Sequence, residues 1–149
     1  MNKKYFFLKI ILLYFLVIFS VSAKESNYLI KGIDLFKKKE FDKSKIFFER
    51  DLVFDPKSEK SYLYLAKIFN EQNNEAEEEI NLNSVLLLNP QNDEAIYMLT
   101  LLKIKQSDYK IAKELIDRFV LVCINFCSKK NEIEEKLQKL IPENDEKKN

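Results

Sequence analysis

Two groups of side chains in this sequence have types and spacing that could do chemistry, and the first is a run of acids. Glu75, Glu77, Glu78 and Glu79 could bind a cation, or act as paired carboxylates in hydrolysis. The run lies at the start of a predicted helix, where acidic residues interact favourably with the helix dipole. No other polar segment is spaced to build a cleft around it. We therefore interpret the run as a solvated helix face.

The second group is a pair of cysteines, Cys123 and Cys127, which are the only two in the chain. Their spacing places both sulfur atoms on one face of a predicted helix. A disulfide at this spacing would distort a regular helix, although export from the cell would permit oxidation. The chain has no histidine to complete a metal site. We therefore predict two buried thiols and no bound metal.

The composition argues against catalysis and for an all-α fold. The 149 residues include no histidine, which is the commonest general acid/base, and a single glycine, Gly32. One glycine cannot form the glycine-rich loops that hold phosphates, so no cofactor is predicted. With three prolines, the chain also has few residues for the tight turns of a sheet, whereas helices need fewer of them. The sequence predicts one helical domain that is not an enzyme.

The first 23 residues have the pattern of an export signal. Lys3, Lys4 and Lys9 precede an uncharged apolar run over residues 10–19, and small residues follow up to Ala23. The run is ten residues long, whereas a membrane-spanning helix needs about 20. We therefore predict a signal peptide, residues 1–23, that is cleaved after Ala23.

An uncleaved anchor is the alternative for this segment. Residues Tyr5 to Val21 could span the inner membrane if Lys9 reaches the interface. Either alternative places the folded part beyond the inner membrane, which is the periplasm in a cell with two membranes. Residues 24–149 carry 22 basic and 24 acidic residues, a net charge of −2. This balance does not favour a nucleic-acid partner.

A repeat of 34 residues organises the rest of the chain. Pro56 and Pro90 end similar apolar runs, and alignment on them gives three blocks, residues 25–58, 59–92 and 93–126. Each block reads as two amphipathic helices joined by a polar turn. In the second helix of the first block, for example, the apolar residues that follow a helical period are Ile46, Phe47, Phe48, Leu52 and Val53. The blocks therefore predict three helical hairpins.

The spacing of large, small and proline residues in these blocks resembles the tetratricopeptide repeat family. Block one carries the pattern at Tyr28, Gly32, Leu35, Ser44, Phe48 and Pro56. Block two carries it at Tyr62, Ala66, Phe69, Leu82 and Pro90, and block three at Ile96, Tyr109, Ala112 and Ile116. The resemblance implies a right-handed stack of antiparallel helix pairs over residues 24–141. Beyond the repeats, an apolar stripe that ends before Pro142 predicts a capping helix at residues 129–141, followed by a disordered tail, residues 142–149.

Two departures from the pattern carry expectations of their own. Glu78 stands where a small residue is expected at a helix crossing, so we expect it to lean into solvent with loose packing around it. Ile124 stands where a proline is expected, so the last repeat helix should continue without a sharp stop through Cys127. This apolar segment, residues 119–127, should be covered by Ile133, Leu137 and Leu140. If it is not, it offers a surface for a dimer or another partner.

The resemblance also implies a binding site, because the first helices of such repeats line a concave groove. Four register positions per block give the candidate groove residues: Leu29, Ile33, Phe36, Lys37, Leu63, Lys67, Asn70, Glu71, Tyr97, Leu101, Ile104 and Lys105. This mostly apolar set suits a helix or an extended segment of a protein partner. It lacks the set of lysines and asparagines with which some family members bind a C-terminal carboxylate, so that mode is not expected.

The predicted function is therefore a scaffold of the cell envelope that binds a segment of an envelope protein, and a homo-oligomer is possible. An inner-membrane-anchored assembly factor that uses the same repeats is the alternative. A small enzyme or ligand-binding domain built on the carboxylates and cysteines would need an enclosed polar pocket around them.

Overall fold

The computed structural model describes residues 26–140, and every regular element in that range is helical. The predicted signal peptide or anchor and the predicted tail lie outside the described residues. Seven α-helices follow one another, with a 3-10 turn at Cys127–Lys129 before the last: α1 Asn27–Lys37, α2 Phe41–Phe54, α3 Glu59–Glu71, α4 Glu75–Leu88, α5 Asp93–Lys105, α6 Tyr109–Val122 and α7 Lys130–Gln138. The predicted all-α fold is confirmed.

The helices form three hairpins with a constant period. The second helices end at Phe54, Leu88 and Val122, which are 34 residues apart in each step. Each hairpin packs its own two helices together, and its second helix also packs against the first helix of the next hairpin. The third hairpin keeps the period although it lacks the proline.

Backbone conformation at the turns within the hairpins follows the same period. Lys39, Asn73 and Ser107 have φ values of 59°, 54° and 62°. Each lies just after a first helix, where a left-handed residue closes the last turn and a glycine is the usual choice. The chain makes these turns without glycine, at a conformational cost that is smaller for Asn73, because asparagine tolerates positive φ, than for Lys39 and Ser107.

Replacing Lys39 with glycine is therefore expected to raise the free energy of unfolding by about 0.5–1 kcal/mol, because the positive φ then carries no penalty. Chemical denaturation of Lys39→Gly measures the change. Lys38→Gly is the matched control, since Lys38 has an ordinary φ of −82°. Equal effects of the two substitutions would contradict this account of the turn.

The first hairpin has a polar outer face, which ends the stack. In α3 the residues that pack against α2 include Ser61, Leu65 and Ile68, all buried, and α5 buries Ala95, Leu99 and Leu102. The equivalent positions of α1 are Asn27, Lys31 and Asp34, and all three are exposed. A terminal repeat needs such a face, because within residues 26–140 no neighbouring repeat covers it.

Gly32 lies at the close helix crossing that the sequence predicts. A Cβ atom at this position would lie 2.6 Å from Cε1 of Phe48, which is fully buried. The hydroxyl of Ser44 donates a hydrogen bond of 2.8 Å to the Gly32 carbonyl across the same crossing. The absence of a side chain therefore sets the distance between α1 and α2.

The expectation for Glu78 is wrong. This side chain is only 2% exposed rather than leaning into solvent. Its Oε1 accepts a hydrogen bond of 3.0 Å from Nδ2 of Asn70, so the crossing of α3 and α4 contains a polar contact in place of a small residue. Burial raises the pKa of Glu78, and the hydrogen bond from Asn70 and the charge of Lys105 oppose that rise.

Replacing Glu78 with glutamine is therefore expected to leave the protein at least as stable as the wild type at pH 7. The raised pKa means that the ionised form of Glu78 opposes folding, so its contribution to stability falls as the pH rises through the folded-state pKa. Glutamine keeps an oxygen acceptor for Asn70 without the charge. Thermal unfolding from pH 4 to pH 8 should show the advantage of Glu78→Gln growing with pH. A wild type that is more stable at pH 8 would contradict this.

The third hairpin ends sharply, which corrects the expectation of a continuous helix. Helix α6 stops at Val122, and Cys123 has an extended backbone. Oδ2 of Asp93 accepts hydrogen bonds from the backbone N–H groups of Ile124, Asn125 and Phe126, at 2.7, 2.6 and 3.0 Å. The carboxylate at the start of α5 therefore fixes the turn at the position where the other repeats have Pro56 and Pro90.

The cysteines form a disulfide, so the prediction of two buried thiols is wrong. Cys123 and Cys127 are bonded, with their Cα atoms 5.2 Å apart. The prediction failed because it assumed a regular helix through both residues, whereas the helix ends before Cys123. Cys127 is exposed rather than buried. The bond closes the same turn that Asp93 holds.

The C-terminal helix caps the stack, but less completely than predicted. Ile133 and Leu137 are buried against the last hairpin, as expected. Leu140 is 48% exposed, and Leu121 and Ile124 of the segment that it should cover are 84% and 79% exposed. Part of the segment therefore remains uncovered. Among residues 26–140, no helix is both long and apolar enough to cross a bilayer.

Candidate functional site

The candidate groove residues lie on the first helices α1, α3 and α5, at equivalent positions of each repeat. Their exposure divides them into three groups. Leu29, Leu63 and Ile104 are buried and serve the core. The half-buried members are Ile33, Phe36, Lys67, Tyr97 and Leu101, and the exposed members are Lys37, Asn70, Glu71 and Lys105. The half-buried and exposed members are those that a partner could contact, and their role in binding stays a prediction.

Aromatic rings connect α1 to α3 at the first-repeat end of this surface. The ring of Tyr64 lies edge-on to Phe36 and stacks on Phe48, with centroids 5.1 Å apart in both pairs. Phe36 also contacts the ring of Phe41 at 5.4 Å. These contacts fix the ring of Phe36 in place, which lowers the entropy that a partner would lose by packing on it.

Lysines on the candidate surface are held by neighbouring acids. Nζ of Lys67 lies 2.8 Å from a carboxylate oxygen of Glu94 and 4.9 Å from the ring centroid of Tyr64. Nζ of Lys105 lies 2.9 Å from Glu75. A partner carboxylate would therefore have to compete with an existing ion pair at Lys67 and Lys105. Lys37 is exposed and has no ion pair with any residue between 26 and 140.

Polar contacts also link the middle of the candidate surface to α4. Asn70 donates to the buried Glu78, as described above, so its amide is oriented by the crossing of α3 and α4. Nζ of Lys103 lies 2.6 Å from Glu79, and Nε2 of Gln106 donates to the same carboxylate at 3.2 Å. These donors lower the pKa of Glu79, Lys103 contributing most. The glutamate run thus binds lysines and amides of the chain itself.

The C-terminal helix reaches the third-repeat end of the candidate surface. The hydroxyl of Tyr97 donates a hydrogen bond of 3.1 Å to Oε1 of Glu132. Lys129 and Lys136 each lie 2.9 Å from the same carboxylate, and with Tyr97 they lower the pKa of Glu132 to about 2. Burial raises the pKa of Tyr97, and Glu132 adds to that rise. The hydroxyl of Tyr97 is therefore already engaged in a hydrogen bond.

Sequence reasoning missed three residues that shape this surface: Tyr64, Glu94 and Glu132. Tyr64 lies three residues before Lys67, so the two share a helix face, and this spacing could have identified the contact. Glu94 and Glu132 belong to the following repeat and to the capping helix. Their contacts depend on the stacking geometry, which the spacing within one repeat does not give.

The surface has the properties of a packing site. Its apolar residues alternate with side chains that are already engaged in ion pairs or hydrogen bonds. Among residues 26–140, no group of three side chains is placed to hold a metal ion. The arrangement can bury apolar groups of a partner and exchange hydrogen bonds with it.

Comparison with solved structures identifies the fold to which this arrangement of helices belongs. The Arabidopsis OM64 TPR domain matches with a TM-score of 0.70 and 18% identity, over 76% of this chain and 93% of that one. The first TPR of Spaghetti (RPAP3), bound to the HSP90 peptide SRMEEVD, matches with a TM-score of 0.68 and 19% identity, over 76% and 92%. The chain has the tetratricopeptide-repeat fold. In the CopN-Scc3 complex, a chain that shares this repeat fold matches with a TM-score of 0.64 and 14% identity, over 83% of this chain and 74% of that one.

The resemblance is one of fold. No protein-family model matches the sequence, and no curated protein matches it. The tetratricopeptide-repeat fold thus recurs here on a sequence that shares fewer than a fifth of its residues with these structures. Function must be argued from this chain's own surface.

Proposed function

We propose that this protein is a non-catalytic scaffold that binds a segment of a partner protein along α1, α3 and α5. The observation that carries the proposal is a row of half-buried groove side chains that is apolar at both ends, with Ile33 and Phe36 on α1 and Leu101 on α5. Lys67 lies between them at the equivalent position of α3. Such a row suits the apolar face of a helix or the alternate side chains of an extended segment. Two structural neighbours support this use of the fold, one bound to a peptide and one found in a protein complex.

In this mechanism the apolar side chains provide affinity, and the lysines set the orientation of the partner. Lys37 attracts an acidic group without losing an ion pair within residues 26–140, whereas Lys67 and Lys105 exchange Glu94 and Glu75 for it. The Lys105–Glu75 pair is largely exposed, and such pairs contribute only about 0–1 kcal/mol, so the exchange costs little there. The Lys67–Glu94 pair is partly buried and is harder to displace. The lysine charges therefore contribute more to specificity for a partner than to affinity for it.

We further propose that the scaffold acts in the cell envelope, on the periplasmic side of the inner membrane. Two features support this: the export pattern of residues 1–23, and the disulfide between Cys123 and Cys127. Disulfides persist in oxidising compartments such as the periplasm. Cleavage after Ala23 would release the protein, and retention of residues 5–21 would anchor it. The N-terminal residue of the mature chain, determined by mass spectrometry, distinguishes the two.

A paired substitution tests the binding surface. Ile33→Ser with Leu101→Ser removes two apolar contacts, so recovery of the partner from solubilised envelopes should fall about tenfold or more. Ile46→Ser with Ile80→Ser is the matched control on α2 and α4, where both residues are exposed, and should leave recovery unchanged. Circular dichroism establishes that both variants keep their helices. Equal recovery by a folded groove variant would contradict the proposal.

A further inference from the structure

Apolar side chains protrude from the ends of all three second helices, away from the candidate groove. Val53, Leu87 and Leu121 are 34 residues apart and are 74%, 84% and 84% exposed. Their neighbours Phe54, Leu88 and Ile124 are also exposed. These six residues form what we call the apolar edge. Single exposed apolar residues are ordinary, but one register position that stays apolar and exposed in every repeat indicates a contact surface.

The chemistry beside the first member of the edge is that of a membrane interface. The rings of Tyr28 and Phe54 stack with centroids 5.5 Å apart, and Phe47 lies 6.4 Å from Tyr28. Lys31 and Arg50 lie over the ring of Phe47, at 4.9 and 5.8 Å from its centroid. Aromatic rings together with long basic side chains are favoured where lipid headgroups meet the hydrocarbon.

The chain that precedes the described residues arrives at this same corner. The Ser26 hydroxyl donates to the buried Asp51 near the end of α2, and Ser26 Oγ accepts from the N–H of Leu29 at 3.0 Å. Only residues 22–25 separate Ser26 from the apolar segment Tyr5–Val21, in which Lys9 is the one charge. Five residue steps span at most about 17 Å. If residues 5–21 lie in a bilayer, the corner is held at its surface.

We propose that the apolar edge and this aromatic corner rest on the phospholipid bilayer in which residues 5–21 are inserted. The proposal adopts the anchored alternative for the N-terminal segment. It does not rest on the groove function, because the edge uses none of the twelve candidate groove residues. Apolar side chains enter the headgroup region, and Lys31 and Arg50 meet anionic lipid.

Because the chain contains no tryptophan, a single introduced tryptophan can test the proposal directly. A single tryptophan at Leu87→Trp reports on the edge. Ile80→Trp is the matched control, since Ile80 is 57% exposed and lies on the same face of α4, about 10 Å along the helix. The full-length chain is reconstituted into vesicles of phosphatidylethanolamine and phosphatidylglycerol with bromine-labelled acyl chains. Quenching of tryptophan fluorescence then measures contact with lipid.

The expected result is several-fold stronger quenching of Leu87→Trp than of Ile80→Trp. Leu121→Trp should match Leu87→Trp, and it provides a second probe if one variant does not fold. Equal quenching at Leu87 and Ile80, or no quenching at either, would overturn the proposal. So would an emission spectrum of Leu87→Trp that shifts to the blue with protein concentration in detergent, because a second copy would then cover the edge. A mature chain in native membranes that begins at Lys24 would also overturn it.

Discussion

Replacing Phe48 with alanine should lower the free energy of unfolding by about 3–5 kcal/mol. The Phe48 ring is fully buried, stacks on Tyr64 with centroids 5.1 Å apart and fills the space that Gly32 leaves open. Alanine loses both the stack on Tyr64 and the contact at Gly32, and the backbones of α1 and α2 cannot close the cavity without moving α3. Denaturant unfolding monitored by circular dichroism measures the loss.

Phe47→Ala is the control for this prediction, since it removes the same group from the adjacent residue. Phe47 is only half-buried and contacts Tyr28, Lys31 and Arg50 at the outer corner of the stack. Its loss should cost less than about 1.5 kcal/mol. Similar losses for the two variants would mean that α1 and α2 do not cross as described.

The second large effect is expected at Asp93. Asp93→Ala removes the acceptor of three backbone N–H groups in the turn after α6, and charge-assisted hydrogen bonds contribute about 1.5–3 kcal/mol each when buried. Water can reach Ile124, so we expect a total loss of about 2–4 kcal/mol. Asp93→Asn keeps one oxygen acceptor and should lose less. Denaturant unfolding of both variants checks the order, and an unchanged Asp93→Ala would contradict the role of this carboxylate.

The effect of Asp93 should also depend on pH. Burial alone would raise its pKa, but the N–H groups of Ile124, Phe126 and Asn125 outweigh it, and the pKa is lowered from its ordinary value of 3.8. The stabilisation is therefore complete above that ordinary value and is lost as the pH falls through the lowered one. The difference between wild type and Asp93→Ala should shrink in acid.

The fold was predictable from the sequence because its signal is repeated. Large residues recur at the register position of Phe48, small residues at that of Gly32, and prolines at Pro56 and Pro90, always at a fixed spacing. Helices must cross closely where the small residues lie. Periodicity alone was less reliable within a helix. Ile46 and Val53 belong to the same predicted apolar set as Phe48 but are 47% and 74% exposed, because separations of two and five residues place them on the opposite face of α2.

The errors came from positions that depend on a partner elsewhere in the chain. Glu78 is buried because Asn70 satisfies it, and the turn after α6 exists because Asp93 satisfies it. Once that turn replaces the helix, Cys123 and Cys127 can approach and bond. The helical period does not reveal these contacts, because each joins two different elements of one hairpin rather than two residues of one helix.

The candidate surface was predictable only in outline. The register placed its residues on the first helices, but could not show that Leu29, Leu63 and Ile104 are buried. It also could not show that Glu94 holds Lys67 or that Glu132 holds Tyr97. These contacts decide which side chains a partner can reach.

Site-specific photo-crosslinking in living cells tests the central claim most directly. A photoreactive amino acid is introduced at Ile33 or Leu101 on the first helices, and at Ile80 on α4 as the control. We expect both groove positions to crosslink to the same protein, through one continuous segment of it, and Ile80 not to do so. Crosslinking to that protein from Ile80 and from neither groove position would contradict the account.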